Sequence, residues 1–193
     1  MGRPTLIVFA RAPAIGVGKS RLARDVGAVE AWRLYRGWRA GLLRRVIDPR
    51  WNVVVRMEPD EAVIAGFACE PQGNGGLGER LERAIRAHAR GPVAVIGTDV
   101  PDLGAVHVAK AFAAAGRSGA AIGPAADGGF WILALSARRA RSVTLDGVRW
   151  STFHAGGDTV RALGGAVETL ETLIDVDDGA SLKAWLSSRR RRG

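Results

Sequence analysis

An alternation along the chain constrains its fold more than any other feature of the sequence. Short apolar runs bounded by glycine, proline or aspartate recur between amphipathic stretches, which is typical of parallel strands joined by crossover helices. We expect strands over residues 5–10, 51–57, 92–97, 119–123, 130–135 and 166–170. Helices are expected from about residue 20 and over residues 30–47, 79–88, 106–115 and 180–188. The sequence therefore predicts an α/β fold built on parallel strands.

Length and composition fit one globular domain. The chain has 193 residues, of which 47% are hydrophobic and 24% are charged. We expect a single domain over residues 1–188, followed by a basic tail over residues 189–193. Much of the formal net charge of +9 is local, because Arg189 to Arg192 close the chain. We therefore interpret the tail as solvated and expect no nucleic acid partner, while the other basic residues suit anionic phosphate substrates.

Several other classes of protein are disfavoured. Cys69 is the only cysteine, so no intramolecular disulfide can form, and a buried thiol is expected. The apolar stretch at residues 6–10 is too short for a signal peptide core or a membrane span, so we expect no membrane insertion and a cytoplasmic location. The three histidines show no metal-ligand spacing, and no Gly-x-Ser-x-Gly elbow occurs, which argues against zinc and serine hydrolase chemistry.

The loop after the first predicted strand carries glycines and positive charge. Open parallel sheets bind ligands beyond the carboxyl ends of their strands, which makes this loop a candidate ligand site. Gly16 and Gly18 permit close backbone approach, and the basic side chains are those of Arg11, Lys19 and Arg21. A helix that begins near residue 20 would complete a cradle for a diphosphate. The alternative is a glycine-rich turn without a ligand.

Two nucleotide-binding motifs are matched only in part. The Gly-Lys-Ser sequence of this loop is similar to the end of a Walker A motif, but Pro13 stands where that motif requires its first glycine. The glycines of residues 73–78 match the dinucleotide pattern literally. The segment before them is a poor central strand, however, because Pro71 cannot donate to a ladder. We therefore do not predict a P-loop or an NAD site.

A second candidate loop follows the apolar run at residues 92–97. Asp99 stands directly after this run, and a carboxylate at a strand end can hold Mg²⁺ or Mn²⁺ against substrate phosphates. Asp99 is therefore the metal candidate. The alternative is a turn or cap residue ahead of the next helix, a role that suits Asp102 better.

Later acids form a third candidate loop and a terminal acidic run. Asp127 stands between small residues, and Gly128 and Gly129 leave room for a substrate to reach its carboxylate. It could ligate a metal, orient a sugar hydroxyl or act as a base, although an Asp-Gly hairpin turn is the alternative. The run from Asp175 to Asp178 could complete a cation site, but helix capping is the preferred interpretation.

Five blocks, taken in order, resemble the DUF2064 family, a bacterial group similar to the GT-A glycosyltransferases. The blocks are Phe9-Ala10-Arg11-Ala12-Pro13…Gly16…Lys19-Ser20-Arg21-Leu22, Gln72…Gly75…Leu77-Gly78-Glu79-Arg80, Ile96-Gly97-Thr98-Asp99-Val100-Pro101-Asp102-Leu103, Gly123-Pro124-Ala125…Asp127-Gly128-Gly129 and Trp150-Ser151-Thr152. They span most of the chain, and their order makes the match specific.

The resemblance implies a single-domain nucleotide-diphospho-sugar transferase fold, with a mostly parallel central sheet and helices on both faces. In that fold the first loop clasps the nucleotide and an acid at a later strand end holds a metal, so Lys19, Arg21 and Asp99 inherit these roles. The other nucleotide-binding or phosphate-binding residues implied by the matching blocks are Ala10, Arg11, Pro13, Gly16, Gly18, Gln72, Gly75 and Gly78. Trp150 and Ser151 are implied to contact substrate.

We expect a nucleotide-sugar-dependent glycosyltransferase assisted by Mg²⁺ or Mn²⁺, with a small-molecule acceptor. Asp99 and Asp127 are the catalytic candidates, and Asp127 would position the donor or acceptor sugar. Similar blocks occur in guanylyltransferases, so nucleotidyl transfer from a nucleoside triphosphate to a phosphorylated small molecule is the alternative. Gly76 stands where relatives carry an acid, and Asp178-Gly179 replaces the usual threonine-containing start of the final helix. A non-catalytic nucleotide-sugar binding protein is therefore the third hypothesis.

Overall fold

The computed structural model describes residues 2–191, and these form a seven-stranded sheet flanked by helices. The strands are β1 (Thr5–Arg11), β2 (Asn52–Glu58), β3 (Ala68–Pro71), β4 (Val93–Ile96), β5 (Ala120–Pro124), β6 (Phe130–Leu135) and β7 (Glu168–Thr169). The helices are α1 (Ser20–Val26), α2 (Ala28–Arg45), α3 (Leu77–Ala87), α4 (Ala105–Ser118), α5 (Ala137–Arg141), α6 (Ala155–Leu163) and α7 (Gly179–Arg190). The strand order is β3-β2-β1-β4-β6-β5-β7, and β6 runs antiparallel to both of its neighbours. The predicted α/β fold with a mostly parallel sheet is confirmed.

The side chains of β1 divide the core between the two faces of the sheet. Leu6 and Val8 pack in the cluster that contains residues of α2 and α4, whereas Ile7 packs in the cluster that contains residues of α3 and α5. All three side chains are fully buried. A strand covered on both faces must be apolar at successive positions, which is why this segment reads as a continuous apolar run. Helices cover both faces, as the resemblance implies.

The structure differs from the sequence prediction at several short elements. The last predicted strand is reduced to the two residues of β7, and the short helices α5 and α6 are absent from the prediction. β3 is also absent from it, because Pro71 argues against a central strand. β3 is instead an edge strand that pairs only with β2, and Pro71 is its last residue. A proline is tolerated there because only one side of the strand is in the ladder.

The topology brings four chain segments to one edge of the sheet. β1, β4 and β5 are all parallel to one another in the sheet order, so their carboxyl ends meet at this edge, and β6 begins there. The segment after β7 returns to the same edge, where Val176 N–H donates to the Asp99 carbonyl at 2.9 Å. The three predicted loops and the terminal acidic run therefore meet.

The predicted basic tail begins within α7. This helix extends to Arg190, and the Arg189 guanidinium lies 5.3 Å from the ring centroid of Trp185. Residues 192 and 193 of the predicted tail lie outside the described residues. Among residues 2–191, no helix combines the length and the apolar composition needed to cross a membrane.

Candidate active site

A cleft with two lobes lies at the carboxyl edge of the sheet. The first lobe, of about 440 Å³, is lined by residues 17–21 together with Arg11 and Gln72. The second lobe, of about 620 Å³, is lined by Asp127, Asp175, Phe130 and residues 150–153. Both lobes share a boundary, and the charged residues that line both are Arg21, Asp99 and Asp177. A ligand that spans the two lobes would therefore cross a strip of charged side chains.

The first loop has the left-handed backbone that its glycines predict. Gly16 and Gly18 have φ values of 77° and 71°, and Lys19 has a φ of 48°. Glycine adopts this region without steric cost, and Lys19 caps the start of α1 in the same conformation. The turn therefore places Lys19 in the wall of the first lobe.

Lys19 joins the first loop to two acids from distant segments. Its Nζ lies 2.7 Å from Asp99 Oδ1, pairs with Asp177 Oδ1 and donates to the Val176 carbonyl at 2.7 Å. The side chain is only 10% exposed. Burial acts to lower the pKa of Lys19, but the charges of Asp99 and Asp177 outweigh it and raise the pKa above its ordinary value. The predicted meeting of Lys19 and Asp99 in one cavity is thus present in the structure.

Three carboxylates converge beside this lysine. Oxygens of Asp127, Asp175 and Asp177 all lie within 4.8 Å of one another, and within residues 2–191 this is the one such group of potential metal ligands. Asp175 is 8% exposed. Its burial, and next the charge of Asp127, raise the pKa of Asp175 to about 6. A site that crowds acids together in this way favours a bound cation or a bound proton.

Asp99, the metal candidate of the sequence prediction, lies outside this group of three. It lines both lobes, and its carboxylate contacts Lys19, which also contacts Asp177. The structure therefore connects Asp99 to the group through the lysine. Helix capping, the preferred interpretation of the acidic run, holds for Asp178, which accepts from Ser181 N–H at 2.7 Å. It does not describe Asp175 and Asp177, which line the second lobe.

The connection between β5 and β6 gives Asp127 two roles. Its Oδ1 accepts from Gly129 N–H at 2.8 Å, which closes the predicted Asp-Gly turn. The same side chain belongs to the carboxylate group. The space beside Gly128 does not receive a ligand, because a Cβ there would lie 2.2 Å from the Phe153 carbonyl oxygen. Gly128 therefore admits the backbone of residues 153–156, and Gly129 lines the second lobe.

The arginines of the first loop differ in their hydrogen-bond and ion-pair partners. Arg11 Nη2 donates to Glu58 at 2.8 Å, and Arg80 lies 3.6 Å from the same carboxylate. Arg21 is exposed and makes no hydrogen bond or ion pair with the part of the chain that the structure describes. It lies at the boundary of the lobes, where it can turn to a ligand without breaking a hydrogen bond or ion pair to the described residues.

Gln72 and Ala10 connect β1 to the turn before α3. Gln72 Nε2 donates to the carbonyls of Ala10 at 3.1 Å and Arg56 at 3.2 Å, and its Oε1 accepts from Arg80 at 3.1 Å. Gln72 is 7% exposed. Its amide is therefore engaged by protein at both ends, and it contributes to the first lobe by fixing the wall rather than by offering an unpaired group.

Four predicted nucleotide-binding residues line neither lobe. These are Pro13, Gly16, Gly75 and Gly78. The Pro13 carbonyl accepts from the Trp32 indole at 3.3 Å. A Cβ at Gly78 would lie 2.8 Å from Trp150 Nε1, and one at Gly75 would lie 2.3 Å from Glu79 Oε2. Packing against Trp150 thus favours glycine at position 78, and the φ of 102° favours glycine at position 75.

Aromatic residues form one wall of the second lobe. Trp150 packs edge-on against Phe130, with ring centroids 6.3 Å apart, and it also covers Gly78. Ser151 has a φ of 59° and turns the chain toward Phe153, which is 74% exposed at the lobe. Trp150 and Ser151 were predicted to contact substrate, and both line the lobe. Phe153 was not predicted, because an isolated phenylalanine in a loop carries no sequence pattern.

Tyr35, in α2, is a further residue of the site that the sequence prediction did not name. Its hydroxyl donates to the Arg11 carbonyl at 3.0 Å and accepts from Arg11 N–H at 3.1 Å. Thr98 Oγ1 donates to the same hydroxyl at 3.2 Å. Tyr35 thus ties the end of β1 to the loop that carries Asp99, and it lines the first lobe. Its position on the apolar face of α2 predicts core packing and gives no sign of this role in the sequence.

Comparison with known proteins shows the family to which this chain belongs. Residues 45–152 match the model of a family described as an uncharacterized protein conserved in bacteria, DUF2064. The chain belongs to the DUF2064 family. The matched residues include Asp99 and Asp127, whereas Lys19 and Asp175 lie outside them. No curated protein shows a similar sequence.

Solved structures place this DUF2064 member among nucleotide-dependent transferase folds. A provisionally assigned nucleotide-diphospho-sugar transferase from Desulfovibrio desulfuricans is 25% identical, with a TM-score of 0.84 over 96% of this chain and 87% of that one. The 2-C-methyl-D-erythritol 4-phosphate cytidylyltransferase of Thermus thermophilus is 18% identical, with a TM-score of 0.58 over 96% and 98%. Rv0371c of Mycobacterium tuberculosis, solved with manganese, is 14% identical, with a TM-score of 0.53 over 97% and 100%. The predicted nucleotide-diphospho-sugar transferase fold is thereby confirmed.

Proposed function

We propose that this protein is a nucleotide-sugar-dependent transferase that uses a divalent cation, and that its donor diphosphate lies across the boundary between the two lobes. The observation that carries this proposal is the juxtaposition of Lys19 and Arg21 with three clustered carboxylates at that boundary. Positive side chains suit a diphosphate, and clustered carboxylates suit a hard cation. Few other ligands need both groups at one place.

The residues present fit a divalent cation. Mg²⁺ and Mn²⁺ prefer oxygen ligands, and Asp127, Asp175 and Asp177 supply carboxylate oxygens within 4.8 Å of one another. The raised pKa of the buried Asp175 supports this assignment, because a cation relieves the repulsion that keeps its proton bound. When bound, the cation would offset charge that develops on the diphosphate leaving group. The manganese in Rv0371c supports the same choice of ion.

The residues of the first lobe would bind and orient the donor. Arg21 would contact the phosphates, and Lys19 would offset their charge from the wall, because Asp99, Asp177 and the Val176 carbonyl already accept from its ammonium. Gln72 and Tyr35 would keep the wall rigid through their bonds to β1. A rigid wall lowers the entropy lost on binding and holds the anomeric carbon toward the second lobe. Asp127, at the other side of the boundary, would position the sugar or the acceptor.

Nucleotidyl transfer to a phosphorylated small molecule is the second candidate. The fold is shared with a cytidylyltransferase over nearly the whole chain, which supports it. This reaction releases pyrophosphate from a nucleoside triphosphate, whereas glycosyl transfer releases a nucleoside diphosphate. Phosphorus NMR of the products distinguishes the two reactions directly.

A binding protein without turnover is the third candidate, and it rests on Gly76. This residue caps α3 next to Leu77, which lines both lobes, so an acid at position 76 would stand at the rim of the cleft. Donor binding without any product release would favour this candidate. Binding that survives Asp99→Ala unchanged would favour it further, because the proposed enzyme needs Asp99 to hold Lys19.

Calorimetry with a panel of nucleotide sugars, with and without Mn²⁺, tests the proposal. We expect at least one nucleotide sugar to bind only when Mn²⁺ is present, and Asp175→Asn to abolish that dependence on the metal. Asp146→Asn is the matched control, since Asp146 is exposed and lines neither lobe. The absence of binding by every nucleotide sugar in the panel would contradict the proposal.

A further inference from the structure

The two lobes carry different balances of charge. Arg11, Lys19 and Arg21 line the first lobe together with Asp99 and Asp177. The second lobe is lined by those two acids with Asp127 and Asp175, and Arg21 is its one cationic lining residue within residues 2–191. Lys19 pairs with Asp99 and Asp177 from the first lobe, so together with Arg21 and a divalent cation the positive charges would only balance the four acids. A second phosphate-bearing molecule would then find no cationic lining residue of this lobe, within residues 2–191, that the donor diphosphate does not already use.

The second lobe also offers aromatic surface. Phe130 and Trp150 are half-buried in its wall, and Phe153 stands at its rim with 74% of its surface exposed. Rings of this kind pack against the apolar faces of ligands, while nearby carboxylates accept hydrogen bonds from hydroxyl groups. An exposed phenylalanine beside an open cavity loses its contact with water when a ligand covers it.

We propose that the acceptor bound in the second lobe is an uncharged, hydroxyl-bearing molecule with an apolar face, of the carbohydrate or polyol class, and not a phosphate ester. This inference rests on the proposed function for the identity of the reaction. It adds the chemical class of the acceptor and names Phe153 as a residue that determines acceptor specificity. It also separates the glycosyl transfer from the nucleotidyl transfer considered above, since the latter requires a phosphorylated acceptor.

The reaction is balanced without a further reagent. The acceptor hydroxyl oxygen forms a bond to the anomeric carbon of the donor, and the bond from that carbon to the diphosphate oxygen breaks. The nucleoside diphosphate leaves with the electron pair of the broken bond. The hydroxyl proton passes to a carboxylate of the second lobe, for which Asp127 at the boundary is placed.

Paired acceptor probes test the inference apart from the proposed function. Saturation-transfer NMR with Mg²⁺ measures binding of glucose against glucose 6-phosphate, and of glycerol against glycerol 3-phosphate. Calorimetry measures donor binding separately. We expect the neutral member of at least one pair to bind at least about tenfold more tightly than its ester. This result supports the inference even if no nucleotide sugar binds, whereas a failed donor panel contradicts the proposed function alone.

Two variants connect the preference to the lobe. Phe153→Ala should weaken binding of the neutral probe by about five- to tenfold and leave donor binding unchanged, and Phe153→Tyr should retain binding because it keeps the ring. Val63→Ala is the matched control, since Val63 is 80% exposed and lines neither lobe. Tighter binding of both phosphate esters, no binding by either neutral probe, or indifference to Phe153→Ala would overturn the inference.

Discussion

The two lobes of the cleft share a boundary but are built in different ways. The first lobe is walled by backbone and by side chains that are tied to it, such as Gln72 and Tyr35, and it holds an excess of cationic residues. The second lobe is walled by aromatic and acidic side chains, most of them on the loops that follow β5, α5 and β7. A wall fixed by the backbone suits a part of the ligand that does not change between substrates, which is the nucleotide in the proposed function. A wall made of loop side chains suits a part that does change.

The difference between the lobes also explains where uncompensated negative charge lies. Lys19 pairs with both Asp99 and Asp177 at the boundary, and Arg11 and Arg21 also line the first lobe, so its cationic residues outnumber its acids without a ligand. Among residues 2–191, Asp175 has no such basic partner, and its pKa rises to about 6 as a result of burial and of the charge of Asp127. In the metal-free protein the uncompensated negative charge therefore lies in the second lobe, where we place the cation.

The largest effect is expected for Asp175→Asn. Removal of this carboxylate should lower metal-dependent turnover by about 100-fold or more. It should also stabilise the metal-free protein at neutral pH by about 1 kcal/mol, because the amide imitates the protonated acid that burial favours. Thermal unfolding with EDTA and with Mn²⁺ measures both effects. A destabilised metal-free variant would assign Asp175 to the fold, and Asp146→Asn is the control for the loss of one surface charge.

Lys19→Met ranks second and tests the first lobe. The variant keeps the aliphatic stem and removes the ammonium that bridges Asp99 and Asp177. We expect donor affinity to fall by about 10- to 100-fold, because the positive charge that offsets the phosphates is lost and Asp99 and Asp177 are left without it. Stability should fall by only about 1 kcal/mol, because both carboxylates are about two-fifths exposed and water can solvate them. Calorimetry against Lys183→Met, on the exposed face of α7, provides the comparison, and equal donor affinity would contradict the role of Lys19.

Part of the cleft can be placed from the sequence. Lys19, Asp99 and Asp127 all lie in loops that follow apolar strands, and parallel topology brings such loops to one edge whatever the details of packing. The Lys19–Asp99 contact follows from that rule although 80 residues separate the two positions in the chain, as their numbers show. Periodicity and strand ends are local signals, so they can be read without the structure.

The other residues of the second lobe could not be predicted in the same detail. Asp175 and Asp177 follow the two-residue strand β7, which is too short to give a pattern, and Asp178 beside them is a genuine helix cap. Alternation in Asp-Val-Asp does put the first two acids on one side of an extended chain, and this was the available signal. Phe153 approaches the lobe only because Gly128 lacks a side chain, a contact between distant residues that no single sequence reveals.

A third and more moderate effect is expected from pH. Mn²⁺ affinity should fall by up to about tenfold per pH unit below pH 6, because Asp175 must lose its proton to bind a cation. For the metal-free protein the sign is opposite. The folded-state pKa of Asp175 lies above its ordinary value of 3.8, so its contribution to stability grows as pH falls from about 6 to about 4. The free energy of unfolding is measured against pH for the metal-free protein and for Asp175→Asn, and the difference between the two profiles isolates this contribution. Identical profiles would contradict it.

The smallest effect is expected from the support behind the aromatic wall. Asp158, in α6, accepts from Arg149 Nε at 2.7 Å and from Arg149 N–H at 3.1 Å, which anchors the segment that leads to Trp150 and Phe153. Arg149→Ala should therefore raise the KM for a neutral acceptor by about two- to fivefold, with donor affinity unchanged. Arg161→Ala is the matched control, because Arg161 pairs with the same carboxylate but lies within α6 and leaves the anchor intact. Equal effects of the two variants would mean that the charge of Asp158, and not the position of the aromatic segment, governs the second lobe.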